Sequence, residues 1–142
     1  MKLQLSRRYR FSASHRLHSP QLGEEENWRV YGKCNNPYGH GHNYVVEVAV
    51  SGPVQEDTGM IANLADLDAF VDSEVIEPFD HKYLNEEIAE FREKVPTTEN
   101  ICIEIFNRLR RFPCARLERV RVEETGLNSF EYAGEPAGAT HD

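Results

Sequence analysis

His42–Gly52 reads HNYVVEVAVSG, and this stretch decides the architecture. Residues two apart share a face of a strand, so Tyr44, Val46, Val48 and Val50 form one apolar row. Upstream, LQLSRRYRFSASH (Leu3–His15) alternates in the same way, with Tyr9, Phe11, Ala13 and His15 on one side. Between the two lies a polar excursion, RLHSPQLGEEENWRVYGK, in which Glu24, Glu25 and Glu26 read as a solvated loop. Downstream, Gly52-Pro53 and Asp57-Thr58-Gly59 mark turns. NLADLDAFVDSEVI then reads as an amphipathic helix capped by Asn63, with Leu64, Leu67, Val71 and Val75 inward and Pro78 ending it. TTENICIEIFNRLRR, after Pro96 and a Thr cap, is a second helix facing the core with Ile101, Ile105 and Leu109; Pro113 closes it. RVRVEET is a third strand and SFEYAG a short fourth.

The order is ββααββ, an α+β fold: a four-stranded antiparallel sheet with two helices on one face. Such a sheet has two open edges, and self-association would cover them. The 142 residues suit one domain over 1–142, with a frayed tail near 135–142. No run reaches the ~18–20 apolar residues of a membrane span, and MKLQLSRRYRF lacks a secretory apolar stretch. Three scattered cysteines build no disulfide framework, which points to the cytoplasm. A net charge of −8 without a basic stripe argues against nucleic acid as a partner, while leaving an anionic small substrate open.

The chemistry concentrates in KCNNPYGHGHNY, Lys33–Tyr44. His40 and His42 point the same way if the second strand begins there, and Gly41 between them removes bulk. Were the first two strands neighbours, His15 would join them, and three imidazoles suit Zn2+ with a fourth position open. Cys34 allows two readings, a fourth ligand closing a structural site or a free thiol beside the metal. Cys102 and Cys114 read as inert buried residues, and His18 and His141 as solvated. Asp80 and His81 in DHKYLN read equally as a plain turn or as a pair in which the carboxylate can fix the imidazole tautomer. Glu124 follows Val120 and Val122 on one face, so a carboxylate aims where a core or pocket should be, whereas Glu123 points outward to solvent. A flat ligand edge with two N–H donors would satisfy Glu124.

Together FSASHRLHSP, EEN, GKCNNPYGHGHNY, TGM, DHKYLN, TTEN and EET..N closely resemble the 6-pyruvoyl-tetrahydropterin synthase and 6-carboxytetrahydropterin synthase family, from about Phe11 to Gly134. The resemblance implies the tunnelling fold, in which sheets join edge to edge into trimeric barrels and two barrels stack as a homohexamer with active sites between subunits. It implies zinc on His15, His40 and His42, a catalytic thiol at Cys34 with Asp80 and His81 as its partners, and a pterin ring held by Glu124, Thr97 and Thr98. The implied substrate is 7,8-dihydroneopterin triphosphate, and the reaction eliminates triphosphate to give 6-pyruvoyl-tetrahydropterin. Lys33, Arg16 and Lys82 are the cations nearest the site in sequence. The carboxy-forming sibling of queuosine biosynthesis, which cleaves the side chain of the same substrate, usually has a shorter Cys to His-Gly-His spacing than the five residues between Cys34 and His40. A second sibling activity, cleavage to a hydroxymethyl pterin, usually involves a changed acid or thiol. A non-catalytic zinc module with Cys34 as fourth ligand is the alternative of another class.

Overall fold

Strand β1 (Gln4–His15) and strand β2 (His40–Ser51) pair along their whole length, antiparallel, and this pairing is the spine of the fold. The computed structural model describes residues 3–136, so His141 and most of the tail lie outside the described residues. β2 continues the sheet to β4 (Arg116–Thr125), and β4 turns back into β5 (Asn128–Tyr132), all antiparallel. The inward row of β2 is fully excluded from water, as its alternation requires: Tyr44, Val46 and Val50 have no exposed surface.

The sheet has five strands rather than four. Lys82–Tyr83 forms a short β3 parallel to Ala13–Ser14, giving the order β3-β1-β2-β4-β5. Two residues carry no readable alternation, which is why DHKYLN reads as a turn in the sequence. The acidic run is also not a loop. Glu24–Tyr31 is helix α1, whose first turn holds all three glutamates, where the helix dipole favours negative charge.

Helix α2 (Leu64–Val71) is capped by Asn63, whose Oδ1 accepts the Ala65 N–H at 2.7 Å. It does not stop before Pro78. A wider π turn at Asp72–Ile76 leads into α3 (Glu77–Phe79), which contains the proline. Pro78 has no N–H for the Glu74 carbonyl four residues back. That carbonyl instead accepts from Arg108 at 3.3 Å, and the same guanidinium lies 4.8 Å from the Phe79 ring centroid. The helix is thereby carried far enough to bury Phe79 and release Asp80 beside β1. Leu64, expected inward, is exposed in the first turn.

After a short α4 (Leu84–Glu87), helix α5 (Thr98–Leu109) starts at Thr97, whose side chain accepts the Asn100 N–H. Ile101, Cys102, Ile105, Phe106 and Leu109 bury against the β2 and β4 row. Cys102 is inert core, its thiol donating to the Val120 carbonyl, whereas Cys114 is exposed. No helix among the described residues is long and apolar enough to cross a membrane.

Candidate metal and ligand site

Strand register builds the centre. His15 stands directly opposite His40, and His42 lies opposite Ala13, so the three rings share the helix-covered face. One nitrogen from each lies within 4.8 Å of the others, and among the described residues this trio is the one group of its kind that could hold a metal ion. His15 Nε2 and His40 Nε2 are 3.1 Å apart. Two nitrogens at 2.0–2.1 Å from one tetrahedral ion stand roughly 3.3 Å apart, so this spacing is that of co-ligands.

Second contacts set the donor atoms. His15 Nδ1 lies 2.8 Å from the Pro96 carbonyl, which can only accept, so Nδ1 carries the proton and Nε2 presents its lone pair. Burial lowers the His15 pKa to about 4, holding the ring neutral as a ligand must be. Burial also lowers that of His40, and the neighbouring His42 adds to the effect. His40 Nδ1 and His42 Nε2 are buried without any hydrogen-bond partner. Leaving such an atom unpaired costs about 1–3 kcal/mol, a cost that a cation bound by the trio would relieve at His42 Nε2, while His40 would ligate through the Nε2 that faces His15. The donor set therefore fits a divalent ion.

Above the trio stands Glu124. It stays on the inner face that Val120 and Val122 occupy, as the alternation of β4 requires, and the β4–β5 register slips only beside it, between Glu123 and Thr125. Thr98 donates its hydroxyl to Glu124 Oε2, while Oε1 is 3.9 Å from His42 Nε2. Thr97 is occupied as the cap of α5, so its hydroxyl serves the helix while that of Thr98 serves the acid. Glu123, expected in solvent, is half-buried on the outer face in a charged groove with Arg8, Glu47 and Arg121.

Cys34 sits in a 3-10 turn, Gly32–Asn35, half-buried. It is not part of the three-histidine group that could hold an ion. Burial pushes its thiol pKa up, and the charge of Glu124 adds to this. The loop that leads from this turn to β2 ends in Gly39, where φ is +76° and a Cβ would meet the Tyr83 ring at 3.1 Å and the His15 carbonyl at 3.2 Å. Gly41, expected to clear space, is less critical: the nearest atom a Cβ would meet there is Ala13 O at 3.5 Å, an ordinary contact.

Asp80 and His81 touch as expected, Oδ2 to Nδ1 at 2.9 Å. The Ser12 N–H on Oδ1 is the main reason the Asp80 pKa lies below its usual value, with His81 adding to it. His81 has φ +60°, held by its own N–H on the Ser12 carbonyl. Its ring, 82% exposed, lines an open cleft of about 360 Å³ with Ser12, Ser14, Gly41 and Asn43. Among the described residues no hydrogen bond or ion pair links this dyad to Cys34. Of the three cations, Lys33 is exposed, Lys82 lies in β3, and Arg16 lines a cleft of about 290 Å³ with His18, Arg92 and Lys94. His18 is half-buried and bonded to Asn35, not solvated.

Sequence reading missed the groups that support the histidines. The Pro96 carbonyl is main chain and carries no sequence signal. The Tyr44 hydroxyl, 3.4 Å from His15 Nδ1, follows His42 by two and could have been placed by the same alternation.

A family model described as 6-pyruvoyl tetrahydropterin synthase matches residues 4–135. The protein is 47% identical over 133 residues to the human 6-pyruvoyl tetrahydrobiopterin synthase, a match spanning 93% of this protein and 92% of that one. It is similar to a putative 6-carboxy-5,6,7,8-tetrahydropterin synthase of Archaeoglobus fulgidus, 46% identical over 85 residues, 60% of this protein and 67% of the other. The solved structure of Caenorhabditis elegans 6-pyruvoyl tetrahydropterin synthase superposes with a TM-score of 0.89 at 39% identity, spanning 95% of this protein and 97% of that one.

Proposed function

The chain belongs to the 6-pyruvoyl tetrahydropterin synthase family, and we propose that it is a zinc-dependent lyase converting 7,8-dihydroneopterin triphosphate to 6-pyruvoyl-tetrahydropterin with loss of triphosphate. The observation that carries the reading is the single face on which His15, His40 and His42 converge with Glu124 and its partner Thr98. His15, His40 and His42 would hold Zn2+, which would supply electrostatic stabilisation of charge developing on the oxygens of the substrate's propyl substituent. Glu124 accepts two parallel N–H groups from the pterin ring. Thr98 occupies one lone pair of Oε2 and keeps the carboxylate from rotating. The ring imine acidifies the C–H bond of the substituent carbon next to it, and Cys34 Sγ as thiolate removes that proton. Because burial and Glu124 oppose its ionisation, the thiol needs cationic neighbours to act as a base.

His81 returns the proton from Nε2, since Asp80 holds Nδ1 as donor. With no bond between the dyad and Cys34 among the described residues, the thiol of one copy works with Asp80 and His81 of another. Edge pairing through the uncovered length of β1 and through β5 assembles a trimer, and two trimers a hexamer, in the cytoplasm. Tautomerisation moves the reducing equivalents from the substituent to the ring, and no nicotinamide is consumed. The test is product identification after incubating the zinc-loaded protein with 7,8-dihydroneopterin triphosphate. Triphosphate together with 6-pyruvoyl-tetrahydropterin is expected; release of acetaldehyde would assign the carboxy-forming activity instead.

A further inference from the structure

We propose that Asn35 is a positioning residue that fixes the Cys34 thiol relative to the histidine cluster; the inference rests on Cys34 being the reacting thiol. Asn35 is a fully polar residue with 3% of its surface exposed, next to the thiol residue and bonded into the segment that follows His15. Its Nδ2 donates to the Leu17 carbonyl at 2.8 Å and lies 3.1 Å from His18 Nδ1. The Leu17 N–H in turn donates to the Cys34 carbonyl at 2.8 Å. Leu17 is thus gripped on both main-chain groups, once by the backbone of the thiol residue and once by the amide group beside it. Arg16 completes the clasp, its Nε donating to the Asn35 carbonyl at 3.0 Å.

The other side of the same segment is locked as well. Asn85 accepts the Arg16 N–H and donates to the Arg16 carbonyl, both at 2.8 Å. Residues 16 and 17 directly follow the ligand His15, so they cannot move without moving its ring. The thiol turn has no side-chain cap of its own, being a four-residue 3-10 turn. Asn35 therefore converts a loose turn into one whose distance from the metal ligands is set by β1. A displacement of about 1 Å at a proton-transfer distance can cost on the order of 100-fold in rate.

Asn35→Asp keeps the size but loses both Nδ2 donors and sets a carboxylate against the Leu17 carbonyl. In zinc-loaded protein it should lower kcat at least tenfold with KM for 7,8-dihydroneopterin triphosphate within about twofold. It should also change the alkylation rate of Cys34 by iodoacetamide, read by mass mapping, while zinc content stays that of the wild type. Asn35→Ser, which retains a short donor, serves if the first variant does not fold, and should show a smaller change in the same direction. Unchanged kcat and unchanged alkylation in the folded variant would overturn the inference, as would a fall in zinc content that accounts for the lost turnover. A Cys34→Ala control separates the two ideas: full turnover there would overturn the thiol reading itself, whatever Asn35 does.

Discussion

The two histidine-bearing regions differ in nearly every physical respect. His15 ends a central strand, is wholly buried, and has its tautomer fixed by the Pro96 carbonyl. His81 sits past the end of a helix in the left-handed region, its ring almost entirely in solvent. The first region is complete within one copy of the protein, since its ligands, their supporting carbonyl and the acid above them are all present. The second is well oriented by Asp80, yet among the described residues no hydrogen bond or ion pair links it to Cys34. Burial on one side and exposure on the other divide the proposed chemistry: the sheet would hold the ion and the ring, and the exposed dyad would supply its proton to a neighbouring copy.

Breaking the buried side should have the largest effect. His40→Ala removes one of three ligands, so stoichiometric metal, measured on the purified protein, should be lost along with turnover. Retention of full metal would remove His40 from the ligand set. Cys34→Ala should keep both metal and fold while turnover falls by at least about 10²-fold, the usual scale for loss of a general base. The exposed side is tested by mixing. Cys34→Ala and His81→Ala subunits, each inactive alone, should regain activity when dissociated and reassembled together, and would stay inactive if each site were built from one copy. Glu124→Gln should weaken pterin binding by about 1.5–3 kcal/mol, the scale of a hydrogen bond to a charged group, as read by calorimetry.

The smallest effect is on pH. His15 has a folded pKa of about 4 against 6.5 when exposed, so the unfolded chain binds the extra proton first. The metal-free protein should be fully stable in this respect above about pH 6.5 and lose that contribution as pH falls toward 4, seen as a declining denaturation midpoint. A flat profile over that range would mean that the ring is not sequestered.

The strands, both main helices and the convergence of three histidines were legible because they depend on periods of 2 and 3.6. Tyr44 to Val50 and Ile101 to Leu109 could hardly be read otherwise. What escaped depends on single contacts. Pro78 ought to stop a helix, but a π turn and the Arg108 guanidinium, from a distant helix, carry it on. The burial of Asn35 arises from packing, to which alternation is blind, whereas the alternation of Val120, Val122 and Glu124 is enough to aim that carboxylate inward. Adjacency suggested that Asp80 and His81 could form a pair, which the 2.9 Å contact matches, but adjacency says nothing of what the exposed ring faces.

The proposed mechanism turns on His15, His40 and His42 gripping one ion while the Cys34 sulfur stays free of it. Alkylation of Cys34 in the zinc-loaded protein, followed by mass mapping and metal analysis of the same sample, addresses it directly. Modification of Cys34 with zinc fully retained is the predicted result. Protection of Cys34 that vanishes on chelation would show a fourth, closing ligand and contradict the account.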